Sequence, residues 1–187
     1  MIETDREPHP YHRMEIYREA KVLVELVASL MLRALQVGQP AIVITRPETR
    51  AGVAELLEAK GHDVKALMRA GKLEMLDAQT VLDQIIVDGA PNGTQFRLIM
   101  GDLLDRLCGS RGFCMAVIYA DVADLLVQSD NAGAALLLEA MWNRLAREYT
   151  FTLTCGYAAS DLHGRVPTVA ELEAVCKHHN IVRLLSN

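Results

Sequence analysis

Ala41-Ile-Val-Ile-Thr-Arg-Pro-Glu48 is the stretch on which the fold class turns. Its first five residues form an unbroken, mostly β-branched apolar run, the pattern of a strand covered on both faces. Pro47 has its φ already set for a helix and lacks an N–H that the first turn could not use. It therefore suits the first helical position, with Thr45 upstream as a candidate cap. A doubly buried strand running straight into a helix is the repeating phrase of an α/β domain.

The phrase recurs in both directions. Upstream, Met14, Tyr17, Lys21, Val24, Val27, Met31 and Leu35 recur at spacings of three and four, which predicts a helix over 14–35 ended by Gly38 and Pro40. Residues 1–12, with two prolines and two histidines, read as an irregular lead-in to one domain spanning 13–187. Downstream, a helix over 48–60 stops at Gly61, a short one over 64–70 stops at Gly71, and Lys72 to Leu76 reads as a strand. Helices over 80–87 and 94–108 flank the turn Asp88-Gly-Ala-Pro-Asn-Gly93. Phe113-Cys-Met-Ala-Val-Ile-Tyr119 is the strongest strand signal, followed by a helix over 132–148 and a strand from Phe151 to Tyr157. Thr168 and Glu171 form a capping-box pattern opening a last helix, and Ile181 to Leu185 can add a terminal strand. The expected architecture is a three-layer α/β domain, with a mainly parallel sheet and helices on both faces.

Composition narrows the function classes. A chain of 187 residues that is 51% hydrophobic can bury one sizeable core, and 23% charge is ordinary for a folded domain. With 5% aromatics, that core is built from Leu, Val, Ile, Ala and Met. The net charge of −5, without a basic run, argues against direct nucleic-acid binding. Val22 to Leu35 is the most apolar stretch, but Glu25 and Arg33 interrupt it and it is shorter than the roughly 20 residues of a membrane span. The acidic N-terminus is unlike a signal peptide, so the four cysteines (Cys108, Cys114, Cys155 and Cys176) are expected as buried, reduced thiols in the cytoplasm.

Motifs of catalysis are missing. The residues before the first long helix, Pro8-His-Pro-Tyr-His-Arg-Met14, hold no glycine and no Gly-Lys-Ser/Thr, so phosphate cradling by a glycine-rich loop is not expected. No G-x-S-x-G elbow occurs, and Ser110 and Ser160 lie in loop contexts without a neighbouring base. Cys155 sits inside a strand pattern, where an inert thiol is the default. Cys176 and His179 resemble a fragment of a metal site, but a second ligand pair at zinc spacing is lacking. Cations at the negative end of a helix explain Lys177, His178 and His179 more simply, so no metal and no cofactor is expected. Trp142, between Leu138 and Leu145, is expected in the core.

Asp121 ends the strongest strand and so reaches the carboxyl edge of the sheet, where open parallel sheets bind ligands. It is equally suited to cap a helix starting at Val122. Both readings stand at this point.

Taken together these segments resemble the MEDS family, the sensory domain of DcmR-type regulators in methanogens and methylotrophs. The resemblance runs from about His12 to Val182. It is carried by His12-Arg-Met-Glu-Ile-Tyr17, Gly38-Gln-Pro-Ala-Ile-Val-Ile-Thr45, Gly61-His-Asp-Val-Lys-Ala-Leu67 through Leu73-Glu-Met-Leu-Asp77, and Val87-Asp-Gly-Ala-Pro91 with Phe96. Leu138-Glu139 with Trp142-Asn143, Cys155-Gly-Tyr157, and Cys176 with His179 and Val182 complete it. Ala120-Asp121 departs from the family's Gly-Glu, which keeps the carboxylate on a shorter arm. Residues 42–77 also resemble KaiC-type RecA-like ATPases, which implies a RecA-like core that has lost its phosphate loop.

The resemblance implies a non-enzymatic sensory or regulatory domain of bacterial signal transduction. It would bind a small molecule or a partner protein, such as a kinase or transcription regulator, with homo-oligomerisation as the route if no ligand is used. His12 and Tyr17 at the start of the first helix, Asp121 and Tyr157 are the expected ligand-binding residues, with His12 and Asp121 on the same edge of the sheet.

Overall fold

A computed structural model describes residues 11–109 and 114–185. Residues 1–10 of the lead-in expected over 1–12, Ser110 and the start of the strand at Phe113 lie outside the described residues, and His12 already belongs to a strand. The described residues form eight strands: β1 (His12–Tyr17), β2 (Ala41–Thr45), β3 (Leu73–Asp77), β4 (Ile86–Val87), β5 (Ala90–Pro91), β6 (Ala116–Ala120), β7 (Phe151–Ala158) and β8 (Ile181–Leu184). The helices are α1 (Ala20–Gln36), α2 (Pro47–Ala59), α3 (Val64–Arg69), α4 (Ala78–Ile85), α5 (Gly93–Cys108), α6 (Val122–Gln128), α7 (Ala132–Leu145) and α8 (Val169–Cys176). Six strands form one sheet in the order β3-β2-β6-β7-β1-β8, and every pairing in it is parallel.

The sheet divides two apolar layers. On one face Val27, Met31, Val53, Leu57 and Val64 of α1 to α3 pack on Val43, Leu73 and Tyr119. On the other, Ile85, Phe96, Leu104, Leu126, Leu138 and Trp142 of α4 to α7 pack on Ile44, Ile118, Leu153 and Tyr157. Trp142 is 2% exposed and meets Phe96 and Phe151 edge-on. The three-layer α/β expectation therefore holds. No helix among the described residues is long and apolar enough to cross a membrane.

Three expectations change. His12 to Tyr17 is a strand and not the start of the first helix, which begins at Ala20. The segment satisfies both periods, since Met14 and Tyr17 continue a helical spacing while His12, Met14 and Ile16 alternate with Arg13, Glu15 and Tyr17. Pairing with β7 on one side and β8 on the other decides for the strand. The link from first strand to first helix is therefore Arg18-Glu19, which still contains no glycine. Arg46, not Thr45, occupies the cap position of α2. Finally, Cys108 and Cys114 form a disulfide, with their Cα atoms 5.6 Å apart. Cys155 and Cys176 are free, the first buried.

Candidate functional site

Two buried polar clusters interrupt these apolar layers, one reaching from the first residue of β1 to the carboxyl half of β7 and the other at the carboxyl edge of β2 and β6. The first belongs to the layer beneath α7 and α8. His12 opens β1, and on the neighbouring strand Cys155 and Tyr157 are two apart, so both side chains leave β7 on the same face. Glu139 and Asn143 are one turn apart on α7 and share a helix face. His179 follows α8 and closes the cluster from the chain's last crossover. His12, Glu139 and His179 are 1%, 0% and 6% exposed.

The contacts are close. His12 Nε2 lies 3.0 Å from Glu139 Oε2 and 3.3 Å from Cys155 Sγ. His179 Nε2 lies 3.6 Å from the same carboxylate oxygen, and the Cys155 thiol donates to that oxygen at 3.6 Å. The Tyr157 hydroxyl donates to the other oxygen, Oε1. Each imidazole is also held from behind. Asn143 donates its amide N–H to His178 O at 3.0 Å, which leaves Oδ1 to accept from His12 Nδ1 at 2.9 Å. His179 Nδ1 must likewise donate to Val175 O, at 3.0 Å. With both Nδ1 atoms protonated, both Nε2 atoms turn lone pairs toward the carboxylate in the neutral rings.

Burial pushes His179 down to about 4, so this ring is neutral at neutral pH. Burial opposes ionisation of Glu139, yet the facing imidazoles and the Tyr157 hydrogen bond outweigh it and hold the carboxyl at about 2. A neutral His179 cannot do this by charge, so the direction falls to the Tyr157 hydrogen bond and to a proton or cation held between His12 Nε2 and the carboxylate. Burial, reinforced by the Glu139 charge, pushes the Cys155 thiol up. The result is an acid in a dry interior that accepts from Tyr157 and Cys155 but faces two imidazole nitrogens that cannot donate to it while neutral. Such an arrangement costs stability unless a proton or cation is shared between them.

The second cluster sits at the carboxyl edge. Thr45 Oγ1 donates to Asp121 Oδ2 at 2.6 Å. The Arg46 guanidinium reaches Asp121 at 3.4 Å and Asp124 at 2.8 Å, and Ala158 N donates to Asp124 at 3.2 Å. Tyr17 ends β1 beside them, 3.1 Å from His163 Nε2. Burial raises Asp121 to about 6, against the pull of Arg46 and Thr45. Asp121 occupies the cap position of α6, but its side chain makes no capping hydrogen bond. Of the two readings left open for this residue, the side-chain cap is thereby excluded.

The four expected ligand residues are thus sorted into two pairs. His12 and Tyr157 meet through Glu139, whereas Tyr17 joins Asp121 at the carboxyl edge. The shared site of His12 and Asp121 is corrected. His12 is in register with Leu153, and Leu153 with Ile118, so Asp121 lies two strands away and three residues, about 10 Å, further along. Taking His12 as a helix start is what put it on the wrong edge. Sequence reasoning missed Glu139 as a site residue, although it is the single acid of α7 and shares a stripe with the buried Ala135 and Trp142. It also passed over Arg46 and Asp124, and gave Cys155 and His179 bland roles.

The model of the family described as "MEthanogen/methylotroph, DcmR Sensory domain", MEDS, matches residues 11–180. The chain belongs to the MEDS family. No curated protein matches it. Both clusters lie inside the matched span, His12 near its first residue and His179 near its last. MEDS is a sensory domain family, which makes the role of this chain sensory or regulatory.

Proposed function

We propose that this MEDS domain is a non-enzymatic sensor that receives a small species at the His12–Glu139–Cys155–His179 centre and relays its presence to a partner protein. The observation that carries the reading is the Glu139 carboxyl, fully buried and facing two imidazoles and a thiol. A structural ion pair would match this charge with a fixed cation, and Arg46 does that for the other cluster. Here the matching cation is not a fixed one.

The relay would run through α8 and β8. Val175 is the one buried residue of α8, and Val182 and Leu184 of β8 are 42% and 58% exposed. His179 joins these two elements and faces Glu139, so occupancy of the centre can set how firmly the segment is seated. The partner would be a kinase or transcription regulator in the cytoplasm, reached without direct nucleic-acid or membrane contact. The test is a host strain carrying Glu139→Gln at the native locus, compared with wild type and a deletion at equal protein level. The variant's transcript profile should follow the deletion. A wild-type profile would overturn the reading.

One observation favours a second reading, an interaction module that works by oligomerisation without a ligand. Arg46 fills the carboxyl-edge crevice, while Leu98 and Leu137, 53% and 50% exposed, flank an open groove of about 560 Å³ between α5 and α7. Sedimentation of Leu98→Glu/Leu137→Glu against wild type tests it, with a shift from dimer to monomer expected and an unchanged monomer refuting it.

A further inference from the structure

We propose that His12 Nε2, His179 Nε2, Cys155 Sγ and a Glu139 carboxylate oxygen are the four ligands of one divalent transition-metal ion of the zinc class. This deepens the sensory reading and rests on it for the signalling role alone.

Geometry comes first. The candidate ligand atoms of the four residues all lie within 4.8 Å of one another. A tetrahedral ion with bonds of about 2.0–2.3 Å has ligand–ligand edges of about 3.3–3.8 Å. Four of the six separations, at 3.0, 3.3, 3.6 and 3.6 Å, lie within that range or just below it. All four residues are buried, so the ligands form a closed shell of the kind that structural and sensing sites use.

The hydrogen-bond inventory gives an independent reason. His179 Nε2 has no hydrogen-bond partner although its side chain is fully buried. Its Nδ1 is committed as a donor to Val175 O, so Nε2 can only offer a lone pair or take up a second proton. A proton between His12 and Glu139 would satisfy that pair and still leave His179 aimed at an oxygen that cannot donate. A second proton would leave a net positive charge in a dry interior. A divalent ion satisfies every lone pair together. With Glu139 and Cys155 ionised and both imidazoles neutral, the centre then carries no net charge. Cys155 releases its proton to solvent as its sulfur binds, and no redox change occurs.

The outer contacts complete the pattern. Metal-bound imidazoles commonly donate the remaining N–H to a carbonyl or carboxylate, and ligating carboxylates are themselves hydrogen-bonded. Asn143, Val175 O and Tyr157 supply these contacts here. The mixed donor set of two imidazoles, a thiolate and a carboxylate suits Zn²⁺, Co²⁺ or Ni²⁺ better than the oxygen-seeking Mg²⁺ or Ca²⁺.

The experiment uses the purified full chain, stripped with a chelator, shown folded by circular dichroism, and titrated with Co²⁺. One equivalent should produce the visible bands of a tetrahedral ion and a near-ultraviolet thiolate-to-cobalt band, both abolished by Zn²⁺. Cys155→Ser should lose the thiolate band, Cys176→Ser should keep it, and Tyr157→Phe should weaken affinity about 10- to 100-fold, as for outer contacts generally. A folded wild-type chain that takes up no Co²⁺ and no Zn²⁺ overturns the proposal. So does a thiolate band that survives in Cys155→Ser. Should Cys155→Ser not fold, His179→Gln takes its place, and full uptake there overturns the proposal equally. Metal uptake with an unchanged transcript profile for Glu139→Gln would instead remove the sensory reading and leave a structural ion.

Discussion

Replacing Arg46 by Met removes the cation that Asp121 and Asp124 share and leaves two carboxylates, 1% and 0% exposed, facing each other across an apolar side chain. Breaking a buried pair by removing one partner typically costs about 3–5 kcal/mol. The structure allows a closer value, because each carboxyl can escape by taking a proton. That escape costs about 1.4 kcal/mol for every pH unit between the ordinary carboxyl pKa of 3.8 and the working pH. At pH 7 the ceiling is therefore about 4.4 kcal/mol per carboxyl. Asp121, already raised to about 6, carries roughly 3 kcal/mol of this in the intact protein. Loss of Arg46 then adds at most about 1.4 kcal/mol through Asp121, and the larger share falls on Asp124. The total at pH 7 is therefore bounded at about 5.8 kcal/mol, and the general figure of about 3–5 kcal/mol falls under that ceiling.

The pH dependence has a definite sign. Asp121 is raised in the folded state, so its contribution to stability is full below 3.8 and is lost as pH rises through about 6. Without Arg46 both carboxyls stay protonated to higher pH, and the loss of stability continues further up. At pH 5 the same arithmetic leaves Asp121 with no added cost and Asp124 with at most about 1.6 kcal/mol. Urea unfolding followed by Trp142 fluorescence, at pH 5 and pH 7.5, measures both quantities. A destabilisation equal at the two values, or larger at pH 5, would refute the assignment of Arg46 as counter-ion to this pair.

Other expectations are simpler. Trp142→Ala should cost about 3–5 kcal/mol, since the indole is buried against Phe96 and Phe151, and a loss below about 1 kcal/mol would contradict that packing. Gly156→Ala should destabilise β7, because a Cβ there would collide with the Tyr119 hydroxyl, and a gain in melting temperature would contradict the packing of that ring. Calorimetry with ATP or GTP should give no heat above dilution, since the β1–α1 link Arg18-Glu19 cannot cradle a phosphate, and micromolar binding would contradict it.

Much of the fold was legible because most elements obey one period only. Ala41 to Thr45 has the length and β-branching of a strand, and the capping box at Thr168 and Glu171 forms as its spacing implies. β1 was not legible for the opposite reason. Its six residues fit a helical spacing and an alternation equally well, and what settles the matter is the pairing with β7 and β8, roughly 140 and 170 residues away in sequence. One misread strand then moved His12 to the wrong edge of the sheet and joined it to Asp121.

The site was hidden by a more general cause. Its residues come one or two at a time from β1, α7, β7 and the α8–β8 link, so no local spacing betrays them, and each has an ordinary explanation taken alone. Cys155 reads as a buried thiol, His179 as a helix-end cation, Glu139 as one acid in a helix. The exception is that Glu139 sits on the apolar stripe of α7, between Ala135 and Trp142, where an unpaired acid would cost several kcal/mol. An acid in that position demands a partner in the opposing layer, and the residues that β1 and β7 turn toward α7 are His12, Cys155 and Tyr157. The contrast with the carboxyl edge follows the same logic. There the two acids are answered by Arg46 from within the fold, which stabilises the crevice in a closed form. At the Glu139 centre the acid faces two imidazoles, a thiol and a hydroxyl instead, and the proposed ion is what would answer it in a sensory domain.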